Sequence, residues 1–277
     1  MAGTLYLVAT PIGNLEDITH RALRVLREVA VIAAEDTRLT RRLLAHYDLH
    51  TPLVSFHEHS TPAQTEKLVQ ALREGRSVAL VSDAGTPGIS DPARRLVERC
   101  AAECIPVSPI PGPSALTAAL SASGFPAREV LFVGFLPSRG AERRTALDRL
   151  VAHADTVVLF EAPHRALRTL ADLTERLPDR PAVACRELTK QFEEFRRGSL
   201  ADLHAQFSAA PPRGELTLVI GPATNAAERL SDAQALARVR ALRAQGRSLA
   251  AAVREISPLA TASRQTLYRL ALAQESS

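Results

Sequence analysis

The chain contains no tryptophan, only 4% aromatic residues, three cysteines and two lysines. Each shortage narrows what it can be. Three cysteines, Cys100, Cys104 and Cys185, are too few and too oddly numbered for a disulfide framework, and no histidine pair stands near them at zinc spacing. Cys100 and Cys104 lie four apart on a predicted helix, so buried or half-buried thiols are expected and no metal is implied. No stretch approaches the roughly 18 continuous apolar residues of a membrane span. The opening MAGTLYLVATP enters a strand pattern at once, without the basic segment of a secretory leader, so a cytoplasmic protein without a membrane partner is expected. The glycine fingerprints GxGxxG and GxxxxGKS/T are also missing, which argues against a nucleotide-dependent enzyme.

What is present is a chain of 277 residues, 46% hydrophobic, enough to bury cores in two compact units. Its net charge of +4 is unevenly placed. Residues 1–224 carry 26 basic and 26 acidic side chains, whereas residues 225–277 hold eight Arg against Glu228, Asp232, Glu255 and Glu275. A basic tail on a neutral body suits a polyanionic partner, because arginine-rich faces release condensed counterions from phosphate chains; a solvated helix face has the same composition.

Over the first hundred residues, short apolar runs (TLYLVAT, VIAA, PLVSF, SVALVS, IPVSPI) alternate with helical patterns. This spacing predicts an α/β fold with a mostly parallel sheet and helices on both faces. Prolines at alternate positions in PIPGP, 109–113, cannot continue a helix or a central strand, so a boundary is placed there, giving units 1–112 and 113–224. The second unit is again α/β, with short late strands that can pair antiparallel. From 225 to 277 only helical patterns remain. SLAAAVREI and SRQTLYRLALAQ read as two short helices capped by Ser248 and Ser263, either helix-turn-helix-like or a plain helical hairpin.

In parallel sheets, ligands bind outside the carboxyl ends of strands. The loops at that edge are Thr10–Asp17, Ala34–Arg38, Ser82–Pro92 and Pro109–Ser114. In SDAGTPGISDP the glycines allow close backbone approach, Ser90 or Asp91 can cap a helix, and no Lys or Arg lies between Gly85 and Asp91. Two acids make polyphosphate a poor ligand. A ligand with hydroxyl, amino or cationic groups suits them better, as S-adenosylmethionine does; alone, the two acids could equally shape a turn and cap a helix.

Eight ordered motifs, TPIGNLEDIT, AEDTR, SDAGTPGISDP, PGPSA, FLP with ERR, FEAPHR, RELTKQFEE and GELTLVI, resemble the ribosomal RNA small subunit methyltransferase I family. The resemblance spans about 1–221, and the tail is similar as well. It implies a two-domain tetrapyrrole-methylase-like fold (class III methyltransferase) with a helical tail. It also implies a homodimer, and 2′-O-methylation of a decoding-region cytidine of 16S rRNA, within the assembled 30S subunit, from S-adenosyl-L-methionine. Carried over residue by residue, the cofactor contacts are Pro11, Gly85, Thr86, Ile89, Ser114 and Ala115, with Phe160, Glu161, Leu216 and Thr217 closing the far wall. The chain departs from the family pattern at Ala93, where glycine is frequent, and at Phe160, where a phenol is frequent. The second departure argues against a hydroxyl acting there.

Loss of a ribose hydroxyl proton calls for a base. Candidates are Asp36, Glu161, Glu187 and Lys190. A chain with 32 Arg that keeps Lys inside RELTKQFEE points to Lys190 as base or as orienter of the nucleotide, or to simple pairing with Glu193 or Glu194. Asp36 and Arg38 are expected to hold ribose and phosphate, and Arg143, Arg144, Arg165 and Arg186 to contact RNA. With so few aromatics, recognition leans on backbone and shape rather than stacking. Competing readings are a small-molecule, tetrapyrrole-type methylase of the same fold and a non-catalytic RNA- or DNA-binding factor acting through the tail.

Overall fold

The computed structural model describes residues 2–89, 93–223, 230–257, 260 and 262–275. The expected caps Ser90 and Asp91 lie outside the described residues. Two compact units emerge, Met1–Gly221 and Pro222–Ser277, and each is described by itself.

In the larger unit, strands β1 (Leu5–Val8), β2 (Val31–Ala34), β3 (Leu53–Ser55), β4 (Val78–Val81) and β5 (Val107–Ile110) form a wholly parallel sheet in the order β3-β2-β4-β1-β5. Both faces are covered, so the central strand VALV is buried at every position instead of alternating. Helices α1 (His20–Glu28) and α2 (Thr37–His46) pack Val25, Leu26 and Leu44 on one face. Helices α3 (Pro62–Arg73) and α4 (Arg94–Ala102) pack Leu68, Leu72 and Leu96 on the other. As the run IPVSPI predicted, the strand continues through Pro109, which pairs with Leu7 in β5. The proline is tolerated because β5 is an edge strand, where a missing N–H costs no ladder bond.

A second sheet follows, ordered β6-β7-β10-β8-β9, from β6 (Val130–Phe135), β7 (Thr156–Glu161), β8 (Pro181–Arg186), β9 (Glu194–Ser199) and β10 (Leu216–Ile220). Only β6 and β7 run parallel; β10 pairs antiparallel with β7 and β8, and β8 with β9. Helices α6 (Gly140–Ala152), α7 (Pro163–Thr174) and α8 (Leu200–Ala209) cover one face through Leu150, Leu170, Leu203 and Phe207. Helix α5 (Ala115–Ser123) covers the other against Val158, Val183 and Val219.

Among its described residues the tail unit holds three helices, α9 (Asp232–Ala244), α10 (Leu249–Ile256) and α11 (Arg264–Glu275), around Val239, Val253 and Leu267. Ser248 and Ser263 accept hydrogen bonds from Ala251 N and Thr266 N, as caps do. Cys100 and Cys185 are buried, which pushes their thiols up to about 11 and about 12. Cys104 corrects the expectation of a covered thiol: it lies beyond the end of α4 at φ 55° and is exposed. Among the described residues no helix is long and apolar enough to cross a membrane.

Candidate active site

β2, β4, β1 and β5 are neighbours in the sheet, so the loops that leave their carboxyl ends emerge side by side. Hydrogen bonds then stitch them together. Thr10 and Gly85 exchange N–H to O bonds of 2.9 and 3.0 Å. Thr86 Oγ1 donates to Pro113 O at 3.1 Å, and Asp83 Oδ1 accepts from Asp36 N at 2.7 Å. Gly85 has φ +82°, the left-handed region that an L side chain enters only at a cost.

A cavity of about 610 Å³ opens over these loops and against the end of the second sheet. On one side it is lined by Ile12, Glu35, Ser82–Thr86 and Ile89; on the other by Ser114, Ala115, Phe135, Phe160–His164 and Glu215–Thr217. The far wall follows from strand register, since β10 sets Leu216 opposite Glu161 and Thr217 opposite Phe160. Phe160 also packs on Phe132 and Phe135 with centroids 5.1 and 5.6 Å apart, making an apolar wall.

Of the residues expected to touch a cofactor, Gly85, Thr86, Ile89, Ser114, Ala115, Phe160, Leu216 and Thr217 come together in this lining. Pro11 does not; its neighbour Ile12 takes the place. Glu35, Phe135, His164 and Glu215 line it without having been singled out, and Asp83, read as one of two acids facing a ligand or shaping a turn, lines it too. All five belong to quoted motifs, so the signal was present; what sequence could not supply was the direction of each side chain.

Three of the four candidate bases, Asp36, Glu161 and Lys190, are each held by neighbouring groups, as is Glu187 by Lys190. Asp36 caps α2, accepting from Arg38 N at 2.7 Å and from the Arg38 guanidinium, which lowers its pKa to about 2. A carboxylate so stabilised is a weak base. Glu161 is buried, with one oxygen accepting from Ala162 N (2.9 Å) and Arg165 Nε (3.1 Å) and the other from Thr169 Oγ1. Lys190 Nζ lies 3.0 Å from both Glu187 Oε1 and Glu215 Oε2. Burial opposes its charge, but the hydrogen bonds to Glu187 and Glu215 outweigh that and raise its pKa, so it stands as an ammonium bonded to Glu215, which lines the cavity. A Cβ on Gly13 would fall 2.3 Å from Lys190 Cγ, so glycine is what lets the first loop lie against this lysine.

The arginines expected to meet RNA divide. Arg143 is 4% exposed and donates to Asp172, Thr169 Oγ1 and Pro137 O. Arg165 donates to Leu136 O as well as to Glu161. Arg168, not foreseen, donates to Ser138 O at 3.2 Å. Three successive carbonyls of the loop after β6 are thus pinned by three arginines. Arg143 and Arg165, expected as phosphate contacts, thus make internal ties. Arg186 is engaged by Glu194 at 2.8 Å and by Arg213 O at 3.2 Å. Arg38 is exposed beside Asp36, and Arg144 is exposed with no side-chain partner among the described residues.

The chain matches the Tetrapyrrole (Corrin/Porphyrin) Methylases over residues 4–204. It is 44% identical over 275 residues to the ribosomal RNA small subunit methyltransferase I of Synechocystis sp., covering 99% of each chain. The protein of the same name from Halalkalibacterium halodurans is 50% identical over 218 residues, which are 79% of this chain and 75% of that one. Among solved structures, uroporphyrin-III-C-methyltransferase from Thermus thermophilus is 26% identical with a TM-score of 0.56, covering 80% of this chain and 94% of that one.

Proposed function

Because this chain belongs to the ribosomal RNA small subunit methyltransferase I family of the tetrapyrrole methylases, we propose that it transfers a methyl group from S-adenosylmethionine to the 2′-hydroxyl of a decoding-region cytidine of 16S rRNA. The observation that carries the donor half is the lining of the 610 Å³ cavity: four carboxylates, Glu35, Asp83, Glu161 and Glu215, of which Glu161 is paired with Arg165 and Glu215 with Lys190 from outside it, and no Lys or Arg among the described lining residues. Such a wall repels phosphate and suits a ligand bearing an ammonium and a sulfonium. The loop backbone around Gly85 and Thr86 and the apolar faces of Ile12, Ile89, Phe135 and Phe160 would hold the remaining parts of the donor, which supplies an electrophilic methyl group.

Holding the ribose oxygen in line behind that methyl is worth several powers of ten in rate. In this reading Lys190, an ammonium kept by Glu187 and Glu215, orients the acceptor nucleotide at the mouth of the cavity. With Asp36, Glu161 and Lys190 committed elsewhere, the proton goes to His164, whose imidazole is exposed on the cavity wall and makes no hydrogen bond among the described residues. Histidine is the side chain best matched to proton transfer near neutrality. The same reading carries a cytoplasmic homodimer acting on the assembled 30S subunit.

A small-molecule methylase is the competing reading that the wider family favours. Two measurements separate them. Isothermal titration should show S-adenosylmethionine binding, and 2′-O-methyl mapping of 30S subunits incubated with enzyme and donor should show one new modified cytidine. Binding without modification of 30S, together with methylation of a porphyrin precursor, would overturn the RNA assignment; no donor binding would end the methyltransferase reading.

A further inference from the structure

The cavity's four carboxylates leave a problem for any RNA acceptor, because its backbone phosphates must be held outside that wall. Just past Phe135, which lines the cavity, the chain runs through the pinned carbonyls of residues 136–138 into α6. There a depression of about 360 Å³ is lined by four arginines, Arg143, Arg144, Arg168 and Arg176, against Asp172 and Glu175. Arg143 is spent on Asp172, and Arg176 is paired with Asp148. Arg144 is exposed and without a side-chain partner among the described residues, as is Arg139 at the start of α6. Arg168 gives one bond to Ser138 O, which leaves the other face of its guanidinium to solvent.

We infer that Arg139, Arg144 and Arg168 form a binding site for RNA backbone phosphates that sets the acceptor strand at the cavity mouth. The inference rests on the rRNA methyltransferase reading and adds a location to it. Guanidinium groups match phosphate oxygens bidentately. The three-arginine tie on 136–138 makes their platform rigid, so little ordering entropy is lost on binding. Proximity in sequence to Phe135 couples the strand's path to the methyl donor's wall. The experiment below leaves the tail's arginines unchanged.

The test uses the full chain with Arg139→Ala, Arg144→Ala, Arg168→Ala and the triple variant. Binding of a 16S rRNA transcript is measured over a series of salt concentrations, and S-adenosylmethionine binding by calorimetry. Each removed contact should flatten the slope of log K against log salt by about one unit, and the triple variant should lose at least about tenfold in affinity. Arg144→Lys should restore most of the slope. Donor affinity should stay unchanged, which shows that the fold and cavity are intact. Unchanged RNA affinity and slope in the triple variant would overturn the site, even if contact with an acidic protein were lost instead. Failure of the unaltered chain to bind the donor counts against the methyltransferase reading and not against the salt-slope result, so the two failures are distinguishable.

Discussion

Arg143→Ala should destabilise the 1–221 unit by about 2–4 kcal/mol, while Arg144→Ala, one residue further on, should change stability by less than about 0.5 kcal/mol. The contrast comes from partners. The Arg143 guanidinium makes two bonds to Asp172 Oδ2, at 3.0 and 2.6 Å, one to Thr169 Oγ1 at 3.0 Å and one to Pro137 O at 3.1 Å. Removing one member of a buried pair costs roughly 3–5 kcal/mol, because its partner is left desolvated. Asp172 keeps 32% of its side chain in water and can rehydrate, which moves the figure toward or below the low end. For a unit of about this size, 1 kcal/mol shifts the melting temperature by about 2–4 °C, so a fall of about 4–16 °C is expected. Thermal unfolding followed by circular dichroism measures it, with Arg144→Ala as the control in the same buffer. If Arg143→Ala melted within about 2 °C of the parent and lost RNA affinity as Arg144→Ala does, the internal tie would be refuted and Arg143 would return to the RNA face.

Four further outcomes are expected. Gly85→Ala places a side chain at φ +82° and should weaken donor binding about tenfold, equivalent to the roughly 1–2 kcal/mol cost of that conformation, as calorimetry would show; undiminished affinity would remove the loop from the donor site. Lys190→Arg should keep most turnover and Lys190→Met should lose about 10–100-fold if the ammonium only orients the acceptor. Complete inactivity of Lys190→Arg with intact RNA binding would restore it as the base. His164→Asn should lower kcat by about 10²-fold or more with donor affinity unchanged; retained turnover would exclude it. For Asp36 the folded pKa of about 2 lies below the usual carboxylate value, so its contribution to stability is present above about pH 4 and is lost as pH falls toward 2. Asp36→Asn should therefore flatten the stability profile between about pH 4 and 2, as urea midpoints at several pH values would reveal, and an unflattened profile would dismiss the cap–arginine clamp.

Much of the backbone was legible in the residues. Unbroken apolar runs such as VALV announced strands covered on both faces, and Ser248 and Ser263 announced helix starts. Parallel strands with helical crossovers bring their carboxyl-end loops to one edge, so the meeting of TPIGN, AEDTR, SDAGTPG and PGPSA could be anticipated from order alone. Which strand lies at the sheet edge, and so accommodates Pro109, was not legible in the residues. Arg143 and Arg144 looked equivalent in ERR, yet neighbours on a helix point about 100° apart, so one enters the core and the other meets solvent.

Local pattern thus determined, by itself, the α/β class, the loops that line the cavity and the family to which the chain belongs. The tertiary structure decided which of those groups are already spoken for. Asp172 meets Arg143 from 29 residues away, Glu215 meets Lys190 from 25, and Leu136 O meets Arg165 from 29. A side chain's donor and acceptor capacity is finite, and partners distant in sequence consume it only once the chain is packed. That is why carboxylates and arginines that read as reactive in a motif turn out, in the folded protein, to be ties that hold the cavity in shape.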